Sequence, residues 1–359
     1  MKKLDQYILR KFLGTFFFSL LLILSIAVVF DFTEKIDDFL EKGAPAKAIV
    51  FDYYLNFIPY FANLFTPLFV FISVIFFTSK MAYQSEIIAI LSSGVSFRRM
   101  MFPYFMGALV IGVFSFALGA YIIPHANRTR LDFEGKYIKV RKEQGLDRIH
   151  MQIESGTFVY MHKFYSLTQK GESFTIEKFE DKKLLSKLSA QSINYDTATG
   201  KWILGDYIVR DFMPDGTMRI SQGTRVDSTL KMKPGDFKAE RKYYETMNSS
   251  ELRQYLVEQR MRGVGNVEEF EIEQHRRIAS PFSAFILTLI GVSLSSRKVR
   301  GGMGLHIGVG IAMSFAYILF MTISTTFAIN GNMDPWVAVW IPNFVFSVIA
   351  AVLYVRAPK

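Results

Sequence analysis

The sequence predicts an α-helical polytopic membrane protein with six transmembrane helices and an all-β jelly-roll domain inserted between the third and fourth helices. Hydrophobic residues make up 50% of the 359 residues and charged residues still make up 21%, a mixture that indicates apolar spans plus a polar domain. The charge is uneven, because long stretches carry none while residues 128–277 carry it densely. Within that polar region the apolar runs give way to short segments of alternating polarity, which are typical of β-strands.

Six stretches are long and apolar enough to cross a bilayer. A hydrocarbon core of about 30 Å needs about 20 apolar residues in an α-helix. A run this long at residues 12–30, without a small-x-small cleavage site after it, indicates an uncleaved anchor rather than a signal peptide. The predicted spans are residues 12–30, a run between Asp52 and Lys80, a run between Arg99 and Arg128, residues 278–296, a run between Arg300 and Asp334, and residues 335–355.

Lys and Arg residues in the short loops predict the orientation of these spans, since they accumulate on the cytoplasmic side. Four clusters fall on one side of the membrane, whereas the loop before Asp334 on the other side carries no basic residue. Both termini are therefore predicted to be cytoplasmic, with the insert on the opposite side. The clusters are Lys2, Lys3, Arg10 and Lys11; Lys80, Arg98 and Arg99; Arg297, Lys298 and Arg300; and Arg356 with Lys359.

The sequence divides into four predicted regions. Residues 1–129 hold the first three spans, residues 130–245 the β domain, and residues 278–359 the last three spans. Residues 246–277 show amphipathic helical spacing and are predicted to form a connector, broken at Gly263-Val-Gly265.

Several function classes are excluded or disfavoured by what the sequence lacks. There is no cysteine for disulfides or thiolate metal sites, and the five histidines show no metal-ligand spacing, so no cofactor or metal is predicted. No P-loop, nucleophile elbow or carboxylate pair within a span is present, which favours a transport subunit over an enzyme. The net charge of +10 is interpreted as topology rather than nucleic-acid binding, because no basic stripe is interleaved with aromatic residues.

The loop between spans two and three is predicted to contain a short helix at the membrane surface, at about residues 84–96. Ile87, Ile88, Ile90 and Leu91 fit one helical face. A carboxylate at the helix start suits the helix dipole, and a glycine ends it. Either this helix is an interfacial connector with Glu86 solvated, or it docks on a cytoplasmic ATPase with Glu86 paired to a basic residue there. The predicted coupling residues are Glu86, Ser85, Ile87, Leu91 and Gly94.

Five short motifs, in this order along the chain, resemble the LptF/LptG (YjgP/YjgQ) permease family of the lipopolysaccharide-export ABC transporter. The opening Leu4-Asp-Gln-Tyr resembles the LptG branch more than the LptF branch. The motifs are Leu4-Asp-Gln-Tyr-Ile8, Ser85-Glu86 through Gly94-Val-Ser96, His275-x-Arg277 through Pro281, Gly304 with Gly308 and Gly310, and Trp340-Ile-Pro-Asn343.

The resemblance implies a non-catalytic permease subunit in a bacterial inner membrane, with its β-jelly-roll domain in the periplasm. Such a permease extracts lipopolysaccharide from the inner membrane and passes it to a periplasmic bridge. The implied partners are an LptB-type ATPase dimer, a second LptF/LptG-type permease, and LptC-like and LptA-like jelly-roll proteins. Two alternatives are a permease of another lipid-exporting or lipoprotein-exporting ABC system and an intramembrane enzyme. The first is disfavoured by the position of the insert, and the second by the scarcity of acidic residues and histidines within the spans.

An anionic lipid requires cations at headgroup level and an apolar cavity between helices. The predicted phosphate-binding residues are Lys35, Arg128 and Arg130, although each could instead be an interfacial anchor, and Glu34, Asp37, Asp38 and Glu41 could neutralise Lys35. Span five carries small residues that permit close helix packing, and span six combines a proline with an asparagine suited to an interhelical hydrogen bond. Spans one and five are the gate helices that the family implies. The predicted packing and gate residues are Gly304, Gly308, Gly310, Pro342 and Asn343.

Overall fold

The computed structural model describes residues 3–138, 146–165, 168–181, 183–197, 199–213, 215–232, 234, 243–261, 267–296 and 302–357. These residues form two compact units, one built from residues 1–139, 245–250 and 268–359, and the other from residues 140–244 and 251–267. The helices are α1 (Lys3–Glu41), α2 (Ala46–Tyr83), α3 (Glu86–Ser92), α4 (Phe97–Tyr137), α5 (Ser249–Met261), α6 (Glu268–Ser295), α7 (Gly302–Ile329) and α8 (Pro335–Val355).

The described residues contain six helices long and apolar enough to span a membrane, namely α1, α2, α4, α6, α7 and α8. The predicted polytopic fold is thereby confirmed. Three of these helices, α1, α4 and α6, continue well past the apolar runs that predicted them, and α1 is 39 residues long, whereas α8 covers the predicted residues 335–355. Residues 267–277, predicted as part of a separate connector, instead belong largely to α6, and the predicted break at Gly263-Val-Gly265 lies outside the described residues.

The helical unit has two ends. We call the end where α1 begins and α3 lies the loop end, and the opposite end, where α4 ends and α6 begins, the insert end.

Prolines lie inside several spans without ending them, for example Pro67 in α2 and Pro281 in α6. In a bilayer such prolines are tolerated where neighbouring helices and Ser or Thr side chains satisfy the backbone.

The core of the helical unit is rich in aromatic side chains. Phe12 of α1 stacks on Phe77 of α2 with ring centroids 5.9 Å apart, and Phe77 stacks on Tyr104 of α4 at 5.2 Å. Gly107 of α4 makes room for this cluster, because a Cβ atom there would collide with the Phe12 ring. Thr78 and Tyr104 add a buried hydrogen bond of 3.0 Å between α2 and α4.

The second unit contains an antiparallel sheet of six strands in chain order, a β-meander. The all-β insert is thus confirmed. A jelly roll contains two sheets with Greek-key connections, whereas the described strands form a single sheet with hairpin connections. The strands are β1 (Leu146–Glu154), β2 (Thr157–Tyr165), β3 (Lys170–Glu180), β4 (Lys183–Asp196), β5 (Lys201–Phe212) and β6 (Met218–Ser228).

One face of the sheet carries its hydrophobic core. Val159 and Met161 of β2 and Trp202 of β5 are fully buried, as alternation along a strand requires. The indole nitrogen of Trp202 donates to the backbone oxygen of Met232 at 2.9 Å, so the buried N–H is satisfied. At one edge, β6 is largely exposed along its length.

Candidate functional site

The loop-end helix α3 follows α2 through a tight turn. Ser85 adopts a left-handed backbone with φ 62°, and Gly94, two residues past the end of α3, has φ 85°. The Ser85 side chain makes no capping hydrogen bond, because such a bond requires an extended backbone at the capping residue. The helix itself covers Glu86–Ser92, a shorter segment than the predicted residues 84–96.

Only part of the predicted apolar face of α3 points inward. Ile87 is buried in the helical core, and Ile90 and Leu91 pack against its margin. Ile88 is 52% exposed, because consecutive helical residues are turned by about 100° from each other. The outward face of α3 therefore offers an exposed isoleucine. Glu86 is half-buried, and its Oε2 accepts a hydrogen bond from the Tyr7 hydroxyl of α1 at 3.1 Å.

Lys35 lies near the insert end of α1 and is held by its own chain. Its ammonium group is 2.6 Å from Oδ1 of Asp31, and it also donates to the hydroxyl of Tyr53 on α2. The carboxylate beside Lys35 is therefore Asp31, which sequence analysis did not consider, and the hydroxyl of Tyr54 donates to its other oxygen at 3.2 Å. The Lys35 side chain remains 23% exposed.

Arg128 and Arg130 lie in different environments although both belong to α4. Arg128 is exposed, and its Nε donates to the backbone oxygen of Thr246 at 2.8 Å. Arg130 is 5% exposed, its guanidinium lies 5.1 Å from the Tyr60 ring centroid, and its Nε is 3.5 Å from Oε1 of Glu134. Each of the three predicted phosphate ligands has its own partners among the described residues: Lys35 contacts Asp31 and Tyr53, Arg128 contacts the Thr246 backbone, and Arg130 contacts Tyr60 and Glu134.

A buried polar cluster at the insert end was missed by sequence analysis. Glu245 is 3% exposed, and its carboxylate accepts from Asn127 Nδ2 at 3.2 Å and from the Tyr60 hydroxyl at 3.5 Å. Nearby on α6, the Glu273 carboxylate accepts from Arg277 Nε at 2.8 Å and from Arg276 Nη2 at 2.5 Å. Glu273 and Arg277 are four residues apart at the polar end of a span, and this spacing was a signal in the sequence that could have predicted their ion pair.

The predicted packing residues of α7 and α8 differ in their surroundings. A Cβ atom on Gly310 would lie 2.5 Å from Cδ1 of Ile75 on α2, whereas nothing lies within 4 Å of such an atom on Gly304 or Gly308. Asn343, one residue after Pro342 in α8, is buried and donates to the backbone oxygen of Ala279 on α6 at 2.9 Å. Asn343 also accepts from the hydroxyl of Tyr317 on α7 at 2.8 Å, so it joins three spans.

Comparison with known proteins identifies the group to which this architecture belongs. The family model described as lipopolysaccharide export system permease LptF/LptG matches residues 6–356. The chain belongs to the LptF/LptG family. Among its relatives is the lipopolysaccharide export system permease protein LptG of Haemophilus influenzae, which is 22% identical over 351 residues, covering 96% of each chain.

The LptF/LptG match covers both groups of spans and the β insert, so the resemblance is not confined to the apolar segments. The chain is a multi-pass membrane permease of the lipopolysaccharide-export type. Within this LptF/LptG architecture, the described contacts of charged side chains in the helical unit gather at two places. One is the loop end around α3, and the other is the insert end around Lys35, Glu245 and Glu273.

Proposed function

We propose that this chain is a permease subunit that extracts lipopolysaccharide from the bacterial inner membrane and passes it to its own β domain and onward to LptC-like and LptA-like proteins. Both termini and α3 would then be cytoplasmic, and the β domain periplasmic. The chain itself would hydrolyse nothing, and a separate LptB-type ATPase dimer would supply the energy.

The observation that carries this proposal is the exposure of two spans. In the apolar windows of α1 and α7 only 22% of the residues are buried within the chain, compared with 56% for α2 and α6. Exposed aromatic side chains lie along both helices, among them Phe18, Phe30 and Phe315. Such faces suit acyl chains and a second LptF/LptG-type permease, because both offer an apolar environment to a helix that its own chain covers poorly.

The loop end suits an ATPase partner. The exposed Ile88 and the half-buried Glu86 lie on a short helix between two spans, and a helix of this kind can place an apolar anchor and a carboxylate in a groove of a neighbouring protein. We propose that Glu86, flanked by Ser85, Ile87, Leu91 and Gly94, forms the coupling element.

The insert end suits the lipid phosphates. Lys35 is partly exposed, Arg128 is exposed, and both lie at the polar ends of spans where headgroups would be found. We include Arg130 as well, although its burial means that a phosphate would reach it only after the end of α4 moves.

Affinity purification from membranes tests the coupling part of this proposal. Glu86→Arg is expected to abolish co-purification of a P-loop ATPase without loss of membrane insertion. Glu34→Arg is the matched control, because it makes the same charge reversal at an exposed position near the insert end and should leave the ATPase bound. If Glu86→Arg still co-purifies with the ATPase and retains activity, α3 is not the coupling element.

Photocrosslinking tests the substrate. A photoreactive residue placed at Lys35, Arg128 or Phe18 of an assembled, ATP-hydrolysing complex is expected to label lipopolysaccharide. A photoreactive residue at Val355, which is 67% exposed and ends α8 at the loop end, controls for labelling that depends only on exposure. Absence of labelling at all three test positions would exclude a lipopolysaccharide-binding cavity lined by these residues.

A further inference from the structure

The first turns of α1 are tied to the segment around α3 by two polar links. Tyr7 donates its hydroxyl hydrogen bond to Glu86 at the start of α3. Two residues earlier in α1, Asp5 accepts a bidentate pair of bonds from Arg99, at 2.8 Å from Nη1 and 2.7 Å from Nη2. The two links reach both flanks of the loop, since Glu86 begins α3 and Arg99 lies in the first turn of α4.

The Asp5–Arg99 pair has the geometry of a strong contact. Bidentate pairing of arginine with a carboxylate adds direction as well as energy, and an uncompensated buried charge is costly. The Asp5 side chain is 3% exposed, so its carboxylate is shielded from water where it binds Arg99. Ser96 fixes the backbone of Arg99 at the start of α4, because the Ser96 Oγ accepts from the Arg99 backbone N–H at 3.3 Å.

Between these links and the hydrogen bonds that Asp31 and Lys35 make with α2 at the insert end, α1 contacts its own unit through a narrow stripe. Its buried apolar residues recur at helical spacing and pack toward α2 and α4, while most of its circumference is exposed. Apolar contacts of this kind resist rolling and sliding less than directed hydrogen bonds, because they have no preferred angle. The buried apolar residues of the stripe are Ile8, Phe12, Phe16, Leu20 and Leu24, with Phe39 farther along α1.

We infer that Asp5 and Tyr7 are positioning residues through which a displacement of α3 is transmitted to span one. This inference rests on the proposed function, because it requires a partner that moves α3. When α3 and the start of α4 shift, the two links carry the loop end of α1 with them, and α1 tilts as a rigid helix about its insert end, where Asp31 and Lys35 are bonded to α2.

An introduced cysteine pair measures the movement of α1 directly. The chain has no cysteine of its own, and Phe17 of α1 lies against Phe114 of α4 with ring centroids 5.7 Å apart. Disulfide formation between Phe17→Cys and Phe114→Cys therefore reports how α1 packs on α4. The assay uses the assembled complex with its ATPase in lipid nanodiscs, and compares cross-linking rates with and without ATP and vanadate.

In the parental complex we expect ATP and vanadate to change the cross-linking rate. Asp5→Asn and Tyr7→Phe should each reduce this nucleotide-dependent change by about fivefold or more, while ATP hydrolysis continues. Asp5→Glu should retain most of the change, since it keeps the charge. Tyr104→Phe is the matched control, because it removes a buried tyrosine hydrogen bond to Thr78 that does not involve α1, and it should leave the change intact.

Three outcomes would overturn the inference. The first is a full nucleotide-dependent change in both Asp5→Asn and Tyr7→Phe. The second is an equal reduction of the nucleotide-dependent change in Tyr104→Phe, which would indicate that any lost hydrogen bond loosens the packing of the helices. The third is loss of the bound ATPase in both Asp5→Asn and Asp5→Glu, which would assign Asp5 to assembly. The proposed function fails separately, if the parental complex hydrolyses ATP and changes its cross-linking but releases no lipopolysaccharide from proteoliposomes to a soluble jelly-roll acceptor.

Discussion

The ammonium group of Lys35 lies 2.6 Å from Oδ1 of Asp31, one helical turn earlier on α1, and stands 4.9 Å from the centroid of the Tyr53 ring. This arrangement provides the lysine with a carboxylate, a hydroxyl and an aromatic face from its own chain. An anionic ligand that binds Lys35 must compete with Asp31, so the pair sets how strongly this position attracts a phosphate.

We expect Asp31→Asn to strengthen lipopolysaccharide binding by up to about fivefold, because a partly exposed ion pair contributes up to about 1 kcal/mol. Binding of a fluorescent lipopolysaccharide to the purified complex at low ionic strength measures this change. Glu34→Gln also removes one negative charge, but from an exposed side chain, and should have a smaller effect. Equal or weaker binding by Asp31→Asn would show that Lys35 does not contact the phosphate.

The buried cluster at the insert end should be important for stability. Glu273→Gln removes the carboxylate that pairs at 2.8 Å with the guanidinium of Arg277, whose side chain is 5% exposed. Removing one partner of a buried ion pair costs about 3 to 5 kcal/mol. We therefore expect a clear loss of thermal stability, measured by scanning fluorimetry of the purified chain in detergent.

The control for this change is Glu177→Gln, which removes the carboxylate of an ion pair with Lys187 in the β-sheet. Both side chains are about one-third exposed, at 33% and 36%, so this loss should cost at most about 1 kcal/mol. Similar shifts for Glu273→Gln and Glu177→Gln would contradict the interpretation that burial determines the cost.

The spans were predictable because bilayer thickness sets a minimum length for an apolar run. Several of their ends were not, since polar residues at the membrane surface do not stop a helix, whereas α8 covers residues 335–355 as predicted. The first predicted span covers residues 12–30, yet α1 extends from Lys3 to Glu41. The β-strands were predictable from alternation, but the order of strands in the sheet depends on pairing, which local periodicity does not report.

The candidate site was only partly predictable for a related reason. Glu86 could be singled out because a carboxylate at the start of a short loop helix is a local pattern, and its role in coupling stays a prediction. Its contact with Tyr7 and the pairing of Asp5 with Arg99 join residues 79 and 94 positions apart. Asn127 and Glu245 are 118 positions apart. Local spacing carries no information about such pairs, so a single sequence cannot predict them.

Asn343 should stabilise the packing of α6, α7 and α8. Asn343→Leu removes the bond to the Ala279 backbone and leaves the Tyr317 hydroxyl without its acceptor. Interhelical hydrogen bonds in membranes contribute about 0.6 to 2 kcal/mol each. We expect the midpoint of thermal unfolding to fall for Asn343→Leu and to fall less for Tyr317→Phe, which keeps the bond from Asn343 to the Ala279 backbone. The opposite order would contradict a bridging role.

Substitutions of the glycines of α7 should distinguish packing within the chain from packing against a second permease. A Cβ atom on Gly310 would lie 2.5 Å from Ile75, which is fully buried, so Gly310→Ala should destabilise the chain by about 1 to 3 kcal/mol. Gly308→Ala meets no atom within 4 Å and should leave the stability of the isolated chain unchanged or slightly higher, since alanine favours helix.

The larger change Gly308→Leu then tests the exposed face. If this face of α7 packs against a second LptF/LptG-type permease, Gly308→Leu should reduce co-purification of that permease while the isolated chain remains as stable as the parent. Leu305→Ala, at a 56% exposed position on the same helix, controls for side-chain exchange without added bulk. Normal assembly of Gly308→Leu would mean that the exposed glycines face lipid, and only Gly310 would remain as a packing residue of α7.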